Sequence, residues 1–177
     1  SLVTGKGVEN NESVRLVLLC RNNDGYQFLC QLLSNLHIKH RVGSISTITW
    51  DELILGEPNL IVLSGGIQGE IGRALLNDNL QGGEEIMQKY REHFPGNFYI
   101  EVSRTGHANE EEYLRLVLPL AAKTDTPVVA TNDVMFINPD EFVAHEIRVC
   151  INDGRILDDP RRPRRYTERQ YLRSYEE

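Results

Sequence analysis

An α/β domain with a mainly parallel sheet of about four strands and crossover helices is predicted by three observations. Short runs of β-branched and aliphatic residues recur at 14–20, 59–64, 98–103 and 127–131. Amphipathic stretches with helical spacing fill the intervals between them. Each interval is long enough for a helix to cross the sheet, which is the connection parallel strands require. Four strands are too few to close a barrel, and no repeat or low-complexity tract breaks the alternation.

Taken in order, residues 1–13 are polar and glycine-containing and are expected to form a flexible N-terminal arm. Residues 14–20 (VRLVLLC) are almost wholly apolar, the pattern of a strand buried on both faces. A turn with capping residues then opens a helix lined on one side by Phe28, Leu29, Leu32, Leu33 and Leu36. His37 and His40 follow at a spacing that can seat a metal. They have no third ligand nearby and sit in the basic run Lys39-His40-Arg41, so a solvated helix end accounts for them. Thr49-Trp50-Asp51-Glu52-Leu53 reads as a short capped helix or single turn.

The second strand, 59–64, runs into Gly65-Gly66-Ile67-Gln68-Gly69. Backbone N–H groups in such a turn can cradle phosphate, and a nucleotide-binding module is one reading, testable as thermal stabilisation by nucleotide. The dinucleotide fingerprint would need glycine where Ser64 stands, and no acidic residue closes the next strand at the required distance. A sharp strand-to-helix turn is the better account. A short helix over 70–77 and a longer one over 84–94 follow, separated by Gly82-Gly83, with Ile86, Met87, Tyr90 and Phe94 inward.

The third strand, 98–103, leads into the loop Arg104-Thr105-Gly106-His107-Ala108. Asn109 is expected to cap the next helix, whose Glu110, Glu111 and Glu112 complement the helix dipole; a catalytic carboxylate cluster competes with that simpler role. Tyr113, Leu114, Val117 and Leu120 face the core, and Pro119 is expected to kink the helix or loosen its last turns. Residues 127–131 (PVVAT) read as a short buried strand, with Asn132 and Asp133 at its C-terminal end, where α/β sheets present their chemistry. Asn138 as N-cap and Pro139 at the first helical position open a helix with the apolar stripe Val143, Ile147, Cys150 and Ile151. Beyond it, Pro160 and Pro163 break helix, and six arginines between Arg161 and Arg173 face five acids over 158–177. That near-balance fits a linker docked on its parent protein better than a nucleic-acid arm.

At 177 residues the chain suits one domain, with 40% apolar and 25% charged residues. A net charge of −7 argues against a protein that coats duplex DNA. Cys20, Cys30 and Cys150 lie in apolar segments without a CxxC, which suggests buried, reduced thiols and a cytoplasmic location. No apolar run approaches the roughly 20 residues that span a bilayer, so no membrane association is expected.

Several ordered motifs carry a resemblance. They are residues 18–26 (LLCRNNDGY), residues 63–73 (LSGGIQGEIGR), Glu92-His93-Phe94-Pro95, Arg104-Thr105-Gly106, residues 128–133 (VVATND), Ala144-His145-Glu146-Ile147-Arg148 and Leu157-Asp158-Asp159-Pro160. In this order they resemble the PHP (polymerase and histidinol phosphatase) domain of bacterial DNA polymerase III alpha subunits, from about Val14 to the C-terminus. The resemblance implies the later part of a distorted (βα)7 barrel. Residues 14–156 would form a partial PHP domain, and 157–177 a linker toward the polymerase palm and thumb.

In many members of that family the strands' C-terminal ends hold two or three metal ions, and active members hydrolyse phosphate esters, some as a proofreading 3′–5′ exonuclease. This chain departs from the pattern. The early His-x-His and Asp-His motifs, expected before Val14, are absent. The family's Asn-His-Gly loop reads Arg104-Thr105-Gly106, and its Asn-Asp-x-His motif reads Asn132-Asp133-Val134-Met135. Asp133 is the remaining ligand position, Thr105 and Met135 are degenerate ones, and His107 is a candidate only by a shift of its loop. A thioether is a poor partner for a hard or borderline divalent ion, and His145 reads as packed or hydrogen-bonded.

The resemblance thus implies a segment of a replicative DNA-directed DNA polymerase with no catalytic residue, bound metal or cofactor of its own; the parent's magnesium and catalytic aspartates would lie outside this chain. Its expected work is to support the polymerase body and bind the proofreading exonuclease subunit, meeting DNA through the holoenzyme. A metal-dependent phosphoesterase or 3′–5′ exonuclease is the alternative. A barrel lacking its first strands would expose sheet edges, which predicts self-association or a segment folded over the edge.

Overall fold

The computed structural model describes residues 2–4, 14–39, 41–42 and 45–177. They fall into two compact units, Ser1–Val102 with Glu112–Val129, and Ser103–Glu111 with Ala130–Glu177. The chain runs β1 (Leu2–Thr4), β2 (Val14–Arg15), β3 (Val17–Cys20), α1 (Asn23–Lys39), β4 (Arg41–Val42), β5 (Ile45–Thr49), α2 (Trp50–Ile54) and β6 (Leu60–Leu63). It continues through α3 (Glu70–Leu76), α4 (Leu80–His93), β7 (Phe98–Val102), α5 (Glu110–Lys123), β8 (Val128–Ala130) and α6 (Phe142–Asp153).

The expected α/β architecture is present. A four-stranded sheet has the order β3-β6-β7-β8. The α3–α4 crossover lets β6 and β7 pair in parallel, Val62 opposite Phe98, while β3 pairs antiparallel to β6. A second sheet, β2-β1-β5-β4, takes in Leu2–Thr4 from the segment expected as a loose arm. The β-branched run Ile45–Thr49 signalled β5, a strand the sequence reading passed over.

The core of the first unit gathers Leu16, Leu32, Leu36, Val62, Met87, Phe94 and Ile100 around the aromatic rings of Tyr90, Phe98 and Tyr113. Tyr90 stacks on Phe98 at 5.0 Å and meets Trp50 edge-on at 4.8 Å. Each such ring contributes roughly 1.5–3 kcal/mol by leaving water. Thr49 caps α2 with a reciprocal capping box to Glu52, as its sequence predicts. Gly65 and Gly66 turn the chain after β6 with φ of 79° and 59°. A Cβ at Gly65 would meet the Arg15 carbonyl at 2.1 Å, so this glycine serves a close backbone approach as well as the turn.

Several local expectations are corrected. The apolar run 14–20 is two strands, broken at the buried Leu16. Leu19 and Cys20 are exposed because β3 is a terminal strand of its sheet. Cys30 is exposed as well, on the face of α1 away from Leu32 and Leu36, so only Cys150 is buried. Gly82 and Gly83 do not separate two helices: α4 starts at Leu80, the Asn79 side chain accepts from the Gly82 N–H at 2.9 Å, and Gly83 lets Leu75 of α3 pack close. β8 is the other terminal strand, and its Val128 is exposed rather than buried. Asn109 enters α5 with a left-handed φ of 69°, unlike the extended backbone of an ordinary N-cap. α5 carries Pro119 inside its span and reaches Lys123. The His37 side chain, His40 and most of the expected N-terminal arm lie outside the described residues.

In the second unit the expected inward stripe of α6 faces solvent instead, with Val143, Ile147 and Ile151 at 58%, 43% and 76% exposure. At 3.6 residues per turn, the inward side belongs to His145, Glu146 and Cys150. Arginines from the C-terminal segment explain this rotation. Arg162 forms an ion pair with Glu146, both side chains almost fully buried, and Arg165 meets Asp153 at 3.0 Å. A buried carboxylate requires such a partner, whereas an exposed isoleucine costs little. His145 is packed, as expected, between Phe136 at 5.6 Å and Tyr166 at 4.6 Å.

Candidate functional site

Two stretches of the second unit hold the positions singled out by the sequence: the 103–107 loop, which follows β7, and residues 131–136, which follow β8. Loops in these places are where α/β proteins assemble reactive groups. The question is what their polar atoms already do.

Thr105 is 1% exposed, and its hydroxyl donates to Glu110 Oε1 at 2.5 Å. Glu110, itself 4% exposed, also accepts from the Gly106 N–H at 2.8 Å, the His107 N–H at 3.2 Å and the Ser103 hydroxyl at 3.3 Å. One buried carboxylate therefore organises the whole loop. Charge-assisted bonds of this kind are roughly twice as strong as neutral ones. The acidic start of α5 was legible as a dipole complement, but the folding of the loop back onto Glu110 was not. The left-handed Asn109 makes that return possible.

Asp133 is half-buried and accepts from the Gln170 side-chain amide, Nε2 to Oδ2, at 3.2 Å. Gln170 is 1% exposed and lies 37 positions further along the chain, in the segment expected as a linker. Nothing in its neighbourhood of arginines marks it as a partner for Asp133. Met135 presents a thioether, and its backbone N–H donates to the Gln170 carbonyl at 2.8 Å. His107 reaches the site through its backbone N–H, donated to Glu110.

These residues do not fit a hydrolytic divalent-metal centre. Thr105 spends its hydroxyl hydrogen on a carboxylate, Asp133 is approached by an amide donor, and Met135 brings soft sulfur. Among the described residues, no three His, Cys, Asp or Glu side chains are placed to hold one ion. A catalytic zinc needs about three protein ligands. What the arrangement does is tie one loop to Glu110 and the other to Gln170 through charge-assisted and neutral hydrogen bonds.

Comparison with known proteins shows what the chain is similar to. The PHP domain family matches over residues 3–105. The DNA polymerase III subunit alpha of Vibrio cholerae is 48% identical over 164 residues, which is 93% of this chain and 14% of that protein. The subunits of the same name from Haemophilus influenzae and Escherichia coli K12 are each 46% identical over 167 residues, again covering 94% of this chain and 14% of the relative. The chain thus spans about one seventh of the length of these relatives.

Proposed function

Because the chain belongs to the PHP domain family, we propose that it is a non-hydrolytic PHP segment of a DNA polymerase III alpha subunit, the DNA-directed DNA polymerase of bacterial replication. Its work in that setting is structural. It supports the polymerase body and offers a surface to the separate proofreading exonuclease subunit, while nucleotidyl transfer and its magnesium belong to other parts of the parent protein. DNA is met through the assembled polymerase, in the cytoplasm. No helix among the described residues is long and apolar enough to cross a membrane.

The observation that carries the reading is the pair of occupied positions: the Asp133 carboxylate on the Gln170 amide and the Thr105 hydroxyl on Glu110. Metal-assisted hydrolysis needs ions that activate water and neutralise phosphate charge. Side chains already committed to one another in this way offer no such ions a seat.

Incubating the chain with manganese or zinc, together with a chromogenic phosphate ester or a 3′-labelled single strand, tests the proposal. Hydrolysis at the rate of metal-containing buffer is expected. Turnover that disappears in Asp133→Ala would replace this reading with that of a metal-dependent phosphoesterase or 3′–5′ exonuclease. For the partner, co-elution with the exonuclease subunit in gel filtration is expected, and separate elution at micromolar concentrations counts against it.

A further inference from the structure

Residues 166–173 belong to no helix or named strand, yet both loops of the candidate site hold them. The Thr167 hydroxyl donates to the Thr105 carbonyl, and Arg173 Nη2 donates to the Arg104 carbonyl at 3.2 Å. From the other loop, Asn132 Nδ2 donates to the carbonyls of Tyr171 at 2.6 Å and Arg169 at 3.2 Å. Tyr171 forms a parallel bridge with Phe136, closed by Phe136 N–H to the Gln170 carbonyl at 3.4 Å and Leu172 N–H to the Phe136 carbonyl at 3.0 Å, and the Met135 N–H also reaches the Gln170 carbonyl at 2.8 Å. The pairing is a single bridge outside both sheets, and it works as extended-peptide recognition does: main-chain bonds set register, and side chains supply selectivity.

Gln170 is the side chain most deeply engaged. Its Oε1 accepts from the Thr167 N–H at 2.9 Å, while Nε2 reaches both the carbonyl and the carboxylate of Asp133 at 3.2 Å. A primary amide has one acceptor and two donor hydrogens, and both ends are used here. Glutamate at this position would replace the amide donor by a second acidic oxygen, about as far from the Asp133 carboxylate as Nε2 now lies, so the hydrogen bond would give way to like-charge repulsion. Alanine would leave the part-buried Asp133 carbonyl and Thr167 N–H without these partners.

We propose that the 103–106 loop and residues 132–136 form a peptide-binding groove, and that its ligand is an extended peptide with Thr-x-x-Gln-x-x-Arg spacing, supplied by the chain's own Thr167, Gln170 and Arg173. The positions that would hold metals in an active relative hold a polypeptide here. This inference rests on the reading of Asp133 and Thr105 as non-ligands, but its test reads the groove and not catalysis. The consequence is mechanical: the path of the C-terminal segment is fixed by the groove, and disturbing either loop releases it.

Amide hydrogen exchange on the whole 177-residue chain tests this directly. The Met135 and Leu172 amides are expected to be protected in the wild type. In Gln170→Glu and Thr167→Val they are expected to exchange about tenfold faster or more, as for the loss of one or two net hydrogen bonds. The Val62 and Ile100 amides, bonded to Asn97 and Pro127 in the first unit, serve as the reference and are expected to stay unchanged. Using two variants keeps the test readable if one of them unfolds. Met135 and Leu172 exchanging at unstructured-chain rates in the wild type, or unaltered exchange in the folded variants, overturns the groove.

Discussion

Glu110 shows how one residue can change the character of a site. Its four acceptor contacts hold the 103–107 loop in place and take up the Thr105 hydroxyl. Glu110→Gln keeps the shape, loses the charge and replaces an acceptor oxygen by a donor. It is expected to destabilise the chain by about 1–3 kcal/mol in urea unfolding, since buried donors lose their acceptor; a loss below about 0.5 kcal/mol would mean that the loop is held by other contacts.

Glu70 makes the opposite case. Burial raises its pKa, against the nearby Lys89 charge and a 3.3 Å hydrogen bond from the Tyr90 hydroxyl that lower it. A carboxyl with a raised folded pKa binds its proton more tightly folded than unfolded. It therefore withdraws stability as pH climbs from the ordinary carboxylate range through the raised value. Urea midpoints measured across that range are expected to fall in the wild type and to flatten in Glu70→Gln. Parallel pH profiles for the two proteins would remove Glu70 from the account.

At the scale of elements, capping chemistry was readable and facing was not. The Thr49 capping box follows from local sequence, and Asn138-Pro139 opens a 3-10 turn, Pro139–Glu141, directly before α6 instead of α6 itself. At that turn, the Glu141 carboxylate accepts from the Asn138 and Ile137 N–H groups, and these bonds hold its pKa low. Thr49→Ala is expected to cost about 1 kcal/mol. Which side of α6 turns inward depends on Arg162 and Arg165, more than ten positions beyond the helix's own stripe, and no periodicity within the helix encodes that. Ile147→Ser is accordingly expected to shift stability by no more than about 0.5 kcal/mol, whereas Phe136→Ala is expected to cost about 3–5 kcal/mol. A loss of several kcal/mol at Ile147 would restore the inward stripe.

Asp133, Thr105 and Met135 stood out in the sequence because they occupy ordered motifs that resemble a family's ligand positions. The sequence hid Glu110's grip and Gln170 altogether, because hydrogen bonds to distant or folded-back chain leave no local pattern. Terminal strands misled in the same way. Residues 14–20 and 127–131 have the composition of buried strands, but β3 and β8 lie at the ends of their sheet and their side chains are part-buried or exposed.

For the whole molecule, the α/β class was legible from alternation alone, since crossover helices between apolar strands admit few other layouts. The second sheet was not, because its strands are two to five residues long and pair across distant segments. The fold keeps a family's frame, and in the second unit the loops after β7 and β8 are hydrogen-bonded to the C-terminal segment. The most direct measurement is equilibrium dialysis of the chain and of Asp133→Ala against zinc or manganese, followed by elemental analysis. Equal metal content in the two proteins is predicted; stoichiometric metal in the wild type that is lost with the Asp133 carboxylate would contradict the account.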